Sequence, residues 1–241
     1  MLTSLRVSYF SERCTAHDER FITALLDAGA QVSFTHLYSH TVPGSLAKKL
    51  DALTNLGFDS EIDWQTESGE VTSKFGAVVS RETPDVINAG PITSCGYIAA
   101  AASVPLLLTS WGSDLLRAIR VDALAHRRAE VALASAQWLA VDSEAGLNAA
   151  SRIEGSLRNR ATVFPWGIDL TIFGSTTPSR FLRSNLGWDE QTIVFSNRGW
   201  EPAYDIPTLL RGFALARKRN ENLRLVLAND GPLRNQIKQL I

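Results

Sequence analysis

The chain lacks several features that would place it in a simple class of proteins. It has only two cysteines, Cys14 and Cys95, so a disulfide scaffold is excluded and a reducing compartment is the simpler expectation. Basic and acidic residues balance at 24 against 25, and we expect no nucleic-acid partner because such proteins concentrate positive charge. The most apolar run, residues 97–109, contains Pro105 and is too short to span a bilayer. With no signal peptide in the sequence, we expect a cytoplasmic protein.

Several motifs of catalysis and cofactor binding are also missing. The chain contains no G-x-G-x-x-G dinucleotide fingerprint, no Walker loop and no G-x-S-x-G nucleophile motif. No Cys/His spacing resembles a zinc site, and no Asp-x-Asp pair is present to grip a metal-bound diphosphate. We therefore expect neither a metal site nor a resident cofactor.

Short β-branched or apolar runs alternate with segments of helical period along the chain. The predicted strands cover residues 5–10, 31–37, 85–89, 105–109, 138–141, 161–164, 192–196 and 223–228. The predicted helices cover residues 17–28, 44–54, 69–81, 94–103, 114–134, 143–154, 178–185, 205–219 and 231–240. This alternation predicts an α/β fold with doubly wound parallel sheets, in which helices cover both faces.

A polar, turn-rich stretch at residues 174–179 predicts a domain boundary. We place a complete domain at residues 1–174 and the start of a second at 175–241. The second segment holds only two predicted strands, which make a poor independent core. We therefore expect this second domain to be incomplete in the sequence.

The loop after the predicted strand 105–109 places Trp111, Gly112, Ser113 and Asp114 in succession. Ligands of an open α/β sheet bind at the carboxyl ends of its strands, and a glycine there lets the backbone approach a ligand closely. Simple helix capping by Ser113 or Asp114 is the alternative. We predict that the loop lines a ligand-binding cleft and that Asp114 is also a catalytic residue.

Two further loops are predicted to reach the same edge of the sheet. Gly90 and Ser94 lie in a small-residue loop after the strand 85–89, where a tight turn with a helix cap is the alternative. His17 begins the helix that follows the first strand, although a lone histidine is more often a surface or capping residue. We add Gly90, Ser94 and His17 to the predicted ligand-binding cleft.

In the second domain, Arg198 follows the predicted strand 192–196. A guanidinium group binds two phosphate oxygens at once, so Arg198 is predicted to hold a diphosphate and to act in catalysis. A surface ion pair with Glu201 is the alternative. Asn197, Glu201 and Gly231 flank this position and complete the predicted diphosphate site.

Four motifs, taken in order, resemble those of the retaining glycosyltransferases of family 4. Residues 85–91 are similar to that family's D-V-V-H-A strand end, and residues 109–115 to its T-x-H-G-S-D-L loop. Residues 163–173 are similar to V-x-P-N-G-V-D-x-x-x-F, and residues 225–234 to L-x-I-x-G-D-G-P-L-R. The resemblance therefore runs along the whole chain in the right order.

The resemblance implies a GT-B fold, with the acceptor in the first Rossmann-like domain and a nucleotide-sugar in the second. By this resemblance the predicted cleft is an acceptor cleft, formed by His17, Gly90, Ser94, Trp111, Gly112 and Ser113. The predicted diphosphate site is likewise a donor site, formed by Asn197, Arg198, Glu201 and Gly231. It implies transfer of a sugar from a nucleotide-diphosphate sugar, with retention and without an obligatory metal. Side chains and a helix N-terminus would then stabilise the leaving diphosphate. The nucleotide-sugar is thus a substrate. The identity of the acceptor is left undecided among a glycan, a lipid and a small molecule.

The chain also departs from the family pattern. Trp111 and Asn88 occupy positions where the family has histidines. No lysine follows Arg198 at the family's spacing. The family's downstream Glu-x7-Glu segment is also absent. Two alternatives therefore stay open: a GT-B sugar-nucleotide epimerase, and a GT-B-like binding module without catalysis.

A predicted helix carries four arginines, Arg117, Arg120, Arg127 and Arg128. A solvated helix face is the favoured interpretation, because charged faces are normal on surface helices. A peripheral membrane contact is the alternative.

Overall fold

The computed structural model describes residues 5–174 and 181–241. Contacts within the chain define two compact units, Met1–Ile168 and Asp169–Ile241, called unit 1 and unit 2 below. The boundary predicted at residue 174 stays a prediction, because residues 175–180 lie outside the described residues, as does the start of the helix predicted at 178–185. No helix of the described residues is both long enough and apolar enough to cross a membrane.

Unit 1 is built on a seven-stranded sheet in which every pairing is parallel. Its strands are β1 Arg6–Ser11, β2 Gln31–Tyr38, β3 Ala52–Phe58, β4 Val86–Ala89, β5 Leu106–Thr109, β6 Trp138–Val141 and β7 Ala161–Val163. Their spatial order is β3-β2-β1-β4-β5-β6-β7. The direction of winding therefore reverses between β1 and β4, which is where open α/β sheets receive ligands.

Helices connect these parallel strands, as parallel pairing requires. Those of unit 1 are α1 Ala16–Asp27, α2 Gly44–Ala47, α3 Ser68–Glu82, α4 Tyr97–Ala99, α5 Ile119–Val121, α6 Ala123–Ser135 and α7 Glu144–Ile153. Wide turns of π-helical geometry, Ile92–Gly96 and Asp114–Ala118, precede α4 and α5, and a 3-10 turn, Gly155–Asn159, follows α7.

Alternate residues of each strand point to opposite faces of the sheet. Tyr9 packs with Ile22 of α1 and Phe34 of β2 on one face. On the other face Phe10 stacks on Phe75 of α3, with ring centroids 4.0 Å apart. The expected α/β fold with helices on both faces is confirmed for unit 1.

One predicted helix is wrong. Residues 44–54 form only the single turn α2 before the chain becomes strand β3 at Ala52. The helix predicted at 114–134 is also interrupted: Asp122 has an extended backbone and caps α6 by accepting a hydrogen bond from the Leu124 N–H.

Unit 2 contains a two-stranded parallel sheet, β8 Thr192–Ser196 paired with β9 Leu223–Leu227. Its helices are α8 Leu170–Phe173, α9 Phe181–Asn185, α10 Ile206–Arg219 and α11 Arg234–Leu240. A 3-10 turn, Pro202–Tyr204, precedes α10, and Asp205 caps that helix through the N–H of Thr208.

Candidate functional site

The loops that leave β1, β4, β5 and β6 lie at the carboxyl edge of the unit 1 sheet, around the reversal of winding. The first three hold the predicted acceptor-cleft residues, and the place between them is called the crevice below. Its geometry begins with Gly90, whose N–H donates to the Phe10 carbonyl at 3.1 Å. A Cβ atom at Gly90 would collide with the Thr109 carbonyl oxygen. Glycine thus lets the loop after β4 lie directly against the end of β5.

Asp114 joins the loops that leave β4 and β5. Its side chain is buried and accepts hydrogen bonds from the Ile92 N–H at 2.9 Å, the Ser110 hydroxyl at 2.7 Å and the Leu115 N–H at 3.0 Å. Burial raises the pKa of Asp114, while these hydrogen bonds oppose the shift. A carboxylate whose oxygens are taken up by protein donors is suited to positioning the loops. The catalytic role predicted for Asp114 stays a prediction.

Gly112 turns the loop after β5 back over the sheet edge. Its φ of +79° lies in the left-handed region that favours glycine, and its N–H donates to the Ser110 hydroxyl at 3.0 Å. A Cβ there would lie 3.7 Å from a carboxylate oxygen of Asp142, the residue that follows β6. The neighbouring Ser113 is exposed, and its side chain makes no capping hydrogen bond. The capping alternative for Ser113 is therefore excluded.

His17 lies beside Trp111 at this edge. Their ring centroids are 5.7 Å apart, and the His17 Nδ1 is 2.6 Å from the Arg20 guanidinium. Because a guanidinium only donates, Nδ1 must accept, and the proton of the neutral ring is on Nε2. Arg20 also donates to the Gly167 carbonyl at 2.5 Å. Arg20 thereby ties α1 to the segment that follows β7.

Further aromatic rings lie around the contact between His17 and Trp111. Trp111 stacks on Phe21 at 5.9 Å, and Trp166 packs edge-on against Phe21 at 5.1 Å and Phe164 at 4.9 Å. These rings adjoin a mostly apolar groove of about 390 Å³, whose wall includes Phe21, Phe164 and Trp166. Asn88 contributes a polar group to the groove, and its side-chain carbonyl accepts the Thr109 hydroxyl at 2.8 Å.

Glu12 is a crevice residue that the sequence interpretation missed. It follows β1 directly and is partly buried. Burial raises the pKa of Glu12. Ser94 and Arg13 lower this pKa, whereas the nearby Asp114 and Asp18 carboxylates raise it. The hydroxyl of Ser94, predicted as a cleft residue, donates to the Pro91 carbonyl at 3.5 Å, within its own loop.

The predicted donor residues of unit 2 cluster at the carboxyl edge of its sheet. The loop after β8 is tied to the loop after β9, because the Trp200 N–H donates to the Asp230 carbonyl at 3.0 Å and the Asn229 amide donates to the Asn197 carbonyl at 2.6 Å. A Cβ atom at Gly231 would lie 2.7 Å from the Trp200 carbonyl oxygen. Gly231 thus has a packing reason to be glycine.

Arg198 is exposed in the first of these loops. Its guanidinium carbon lies 5.3 Å from the centre of the Tyr204 ring. Among the described residues no ion pair links Arg198 to Glu201, which is also exposed. The surface-pair alternative is thus not the arrangement found, and the charge of Arg198 faces solvent beside an aromatic ring.

Within the described residues, no three His, Cys, Asp or Glu side chains converge as metal ligands would. Cys14 and Cys95 are both unpaired thiols. Burial raises the pKa of Cys14 to about 11, so this thiol is protonated at neutral pH and is a poor nucleophile.

No protein-family model matches the chain, and no curated protein matches it. Similar folds occur among solved structures. HepE from Anabaena, in complex with UDP, matches with a TM-score of 0.71 at 17% identity, over 98% of this chain and 66% of that one. The putative UDP-N-acetylglucosamine 2-epimerase from Listeria monocytogenes matches with a TM-score of 0.66 at 12% identity, over 98% and 65%. The UDP-GlcNAc 2-epimerase from Neisseria meningitidis, bound to UDP-GlcNAc, gives 0.61 at 12% identity, over 98% and 69%.

At these identities the likeness defines the fold alone, a Rossmann-like α/β fold of the GT-B type. The first of these structures is longer than this chain, which spans 66% of its length. The expectation of a Rossmann-like fold is confirmed, whereas membership of glycosyltransferase family 4 stays a prediction.

Proposed function

We propose that this protein binds a nucleotide-diphosphate sugar and transfers the sugar to an acceptor. The observation that carries the proposal is Arg198, an exposed guanidinium at the carboxyl edge of the unit 2 sheet. The loops there are held by backbone hydrogen bonds and by the close approach of Gly231 to Trp200. HepE has been solved with UDP and with UDP-glucose, and this supports UDP-sugars as the first donors to test.

In this proposal Arg198 binds the diphosphate with two parallel hydrogen bonds. Charge on the diphosphate increases as the sugar bond breaks, so the guanidinium stabilises the transition state more than the ground state. The exposed neighbours Asn197 and Glu201 line the donor site. The loops that carry Gly90, Ser94 and Trp111 line the acceptor cleft of unit 1.

Retention and independence of metal are further parts of the proposal, drawn from the family resemblance. Arg198 and the backbone N–H groups of the loops would neutralise the diphosphate in place of a divalent cation. The acceptor would be a glycan, a lipid or a small molecule. A peripheral membrane contact through Arg117, Arg120 and Arg127, which are all exposed, is a further proposal.

The test is turnover of UDP-glucose, and separately of UDP-GlcNAc, with UDP release measured and the sugar product followed by NMR. We expect UDP release that continues in the presence of a chelator. Arg198→Ala should lower kcat about 10²-fold, the usual loss for one charge-stabilising group, and Arg198→Lys should restore part of it. Arg211→Ala is the matched control, since Arg211 is exposed on α10 and lies outside the donor loops. Loss of activity with the chelator, or an inert Arg198→Ala change, would contradict the proposal.

A UDP-sugar epimerase is a second candidate, favoured by the carboxylates of Glu12 and Asp142 at the unit 1 sheet edge. Epimerisation moves a proton on a sugar carbon and so requires an acid–base group. The same NMR spectra separate the candidates: a transferase keeps the configuration of the ring carbons other than the anomeric one, whereas an epimerase inverts one of them. Binding of the UDP-sugar without turnover would instead indicate a binding module.

A further inference from the structure

The apolar groove of unit 1 lies on the same face of the sheet as α1. Its floor is formed by alternate residues of neighbouring strands, in which Asn88 is paired with Leu107 and Thr109 with Ala140. The residues between them point to the opposite face and pack in the larger core cluster. Ala24 of α1 lines one side of the groove. All of the lining residues fall within Met1–Ile168, so the groove is complete within unit 1.

Four aromatic rings line the groove, and part of their surface is open to solvent. Trp138 is 43% exposed and Phe164 is 39% exposed. The ring of Trp138 is held in place because its Nε1–H donates to the Thr162 hydroxyl at 2.9 Å. Phe21 and Phe164 each pack edge-on against Trp166. A planar aromatic ligand would cover apolar ring surface, and aromatic pairs are stabilised beyond the area that they bury.

The polar groups of the groove define what else the ligand carries. None of the described lining residues is charged, so a charged ligand would lose its hydration without gaining a partner. The Thr109 hydroxyl donates to the side-chain carbonyl of Asn88. Asn88 is 8% exposed, and among the described residues its amide nitrogen donates to no acceptor. A buried donor without an acceptor favours a ligand that supplies one.

We propose that this groove binds a neutral aromatic compound that carries one hydrogen-bond acceptor, such as a carbonyl oxygen. The aromatic ring packs among Trp138, Phe164 and Trp166, and the oxygen accepts a hydrogen bond from the Asn88 amide. The groove volume of about 390 Å³ lies within the usual range for small-ligand sites. The inference goes beyond the proposed sugar transfer and does not depend on it, because no residue of the proposed donor site lines the groove.

The experiment measures the binding of three probes of similar size to the whole chain, by NMR titration of the tryptophan indole N–H signals. Acetophenone has both the aromatic ring and the carbonyl acceptor. Ethylbenzene lacks the acceptor, and cyclohexyl methyl ketone has a saturated ring in place of the aromatic one. Acetophenone should bind with a Kd of about 1 mM or below. Cyclohexyl methyl ketone should bind about fivefold more weakly, because the contacts between aromatic rings are lost.

Four variants locate the site. Ala24→Phe fills the groove from the exposed side of α1 and should abolish acetophenone binding. Ala77→Phe is the matched control, the same change at an exposed alanine of α3, and should leave binding unchanged. Phe164→Leu removes one ring but stays apolar, and should weaken acetophenone about threefold. Asn88→Leu should weaken acetophenone about tenfold, the loss of one hydrogen bond, without weakening ethylbenzene.

Thermal melting shows which variants are folded, and Phe164→Leu and Asn88→Leu test the site if Ala24→Phe does not fold. A folded Ala24→Phe variant that binds acetophenone as tightly as the wild type would overturn the proposed location. Equal affinity for cyclohexyl methyl ketone would overturn the aromatic class of ligand. Equal losses of ethylbenzene and acetophenone in Asn88→Leu would overturn the role of the amide. A wild type that binds no probe up to about 10 mM would overturn the whole inference while leaving the proposed sugar transfer untouched.

Discussion

At the scale of single residues, two glycines show how closely the loops of each sheet edge are packed. Gly90 lies against the Thr109 carbonyl in unit 1, and Gly231 lies against the Trp200 carbonyl in unit 2. In both cases the obstacle to a side chain is backbone, which cannot rotate away as a flexible side chain would. Each candidate loop is therefore held by steric fit in addition to its hydrogen bonds.

Replacing Gly90 by alanine should destabilise the fold by about 1–3 kcal/mol, because the added methyl group forces the two loops apart. The matched control is Gly76→Ala in the interior of α3, where an added Cβ meets no atom within 4 Å. That change should stabilise the protein by up to about 1 kcal/mol, because alanine favours helix. Urea unfolding measures both, and equal midpoints for the two variants would contradict the packing argument.

Asp114 should prove essential for stability. Asp114→Ala leaves the Ile92 N–H, the Ser110 hydroxyl and the Leu115 N–H without their acceptor, which should cost about 2–4 kcal/mol. Asp59→Ala, at an exposed aspartate, should change the free energy of unfolding by less than about 0.5 kcal/mol. A folded Asp114→Ala variant of wild-type stability that lacks turnover would support the catalytic role instead.

Glu12 makes stability depend on pH. Its folded pKa is raised above the unfolded value, so its contribution is fully present below the ordinary pKa of glutamate and is lost as the pH rises through the folded pKa. Glu12→Gln should therefore raise the urea midpoint at neutral pH, where the ionised carboxylate is penalised. The gain should vanish near pH ~4, where glutamate is largely protonated. A gain of equal size at both pH values would show that ionisation is not its cause.

The sequence identified Gly90, Ser94 and Gly112 as loop residues at strand ends, because small residues after an apolar run are a local signal. Glu12 gives no such signal. Its raised pKa comes from burial and from the Asp114 carboxylate, which lies near it only through the folding of distant segments. The only sequence feature that points to Glu12 is its position, as the single acid in the strand-to-helix loop after the first strand.

At the scale of secondary structure, strand β3 shows where local propensity fails. Residues 44–54 are rich in alanine, leucine and lysine, which favour helix. Of the strand's inward positions, only Leu56 and Phe58 carry large apolar side chains, and Asn55 and Gly57 are poor strand formers. Parallel pairing with β2 supplies the stabilisation, and the sequence around β3 does not encode that pairing.

Helix α6 holds the turn after β4 through Arg128. Its buried guanidinium donates to the Thr93 carbonyl at 2.7 Å and lies 4.9 Å from the centre of the Trp64 ring. The solvated face expected for four arginines therefore fits Arg117, Arg120 and Arg127 but is wrong for Arg128.

Arg128→Met keeps the aliphatic stem but removes the donor to Thr93, and it should destabilise unit 1 by about 1–3 kcal/mol. Arg127→Met is the adjacent control, since Arg127 is exposed and the change should stay within about 0.5 kcal/mol. Guanidinium chloride unfolding of the two variants measures the difference. Equal losses would mean that Arg128 contributes no more than surface charge.

At the scale of the whole molecule, the alternation of strands and helices was sufficient to predict the α/β class, because parallel strands require crossover connections. The strand order follows from right-handed crossovers and long-range pairing. Local sequence patterns do not encode this pairing. In unit 2 the loops after β8 and β9 were predicted from the same rule, that ligands meet strands at their carboxyl ends. The contact of Arg198 with Tyr204 was not predicted from the sequence and is seen only in the structure.

The central claim is that the protein binds a nucleotide-diphosphate sugar through Arg198, and titration calorimetry with UDP and UDP-glucose tests it most directly. The wild type should bind both ligands. Arg198→Ala should weaken each about tenfold, or ~1.4 kcal/mol, and Arg211→Ala should leave both affinities unchanged. A wild type that binds neither ligand, or an Arg198→Ala variant that binds both as tightly as the wild type, would contradict the account.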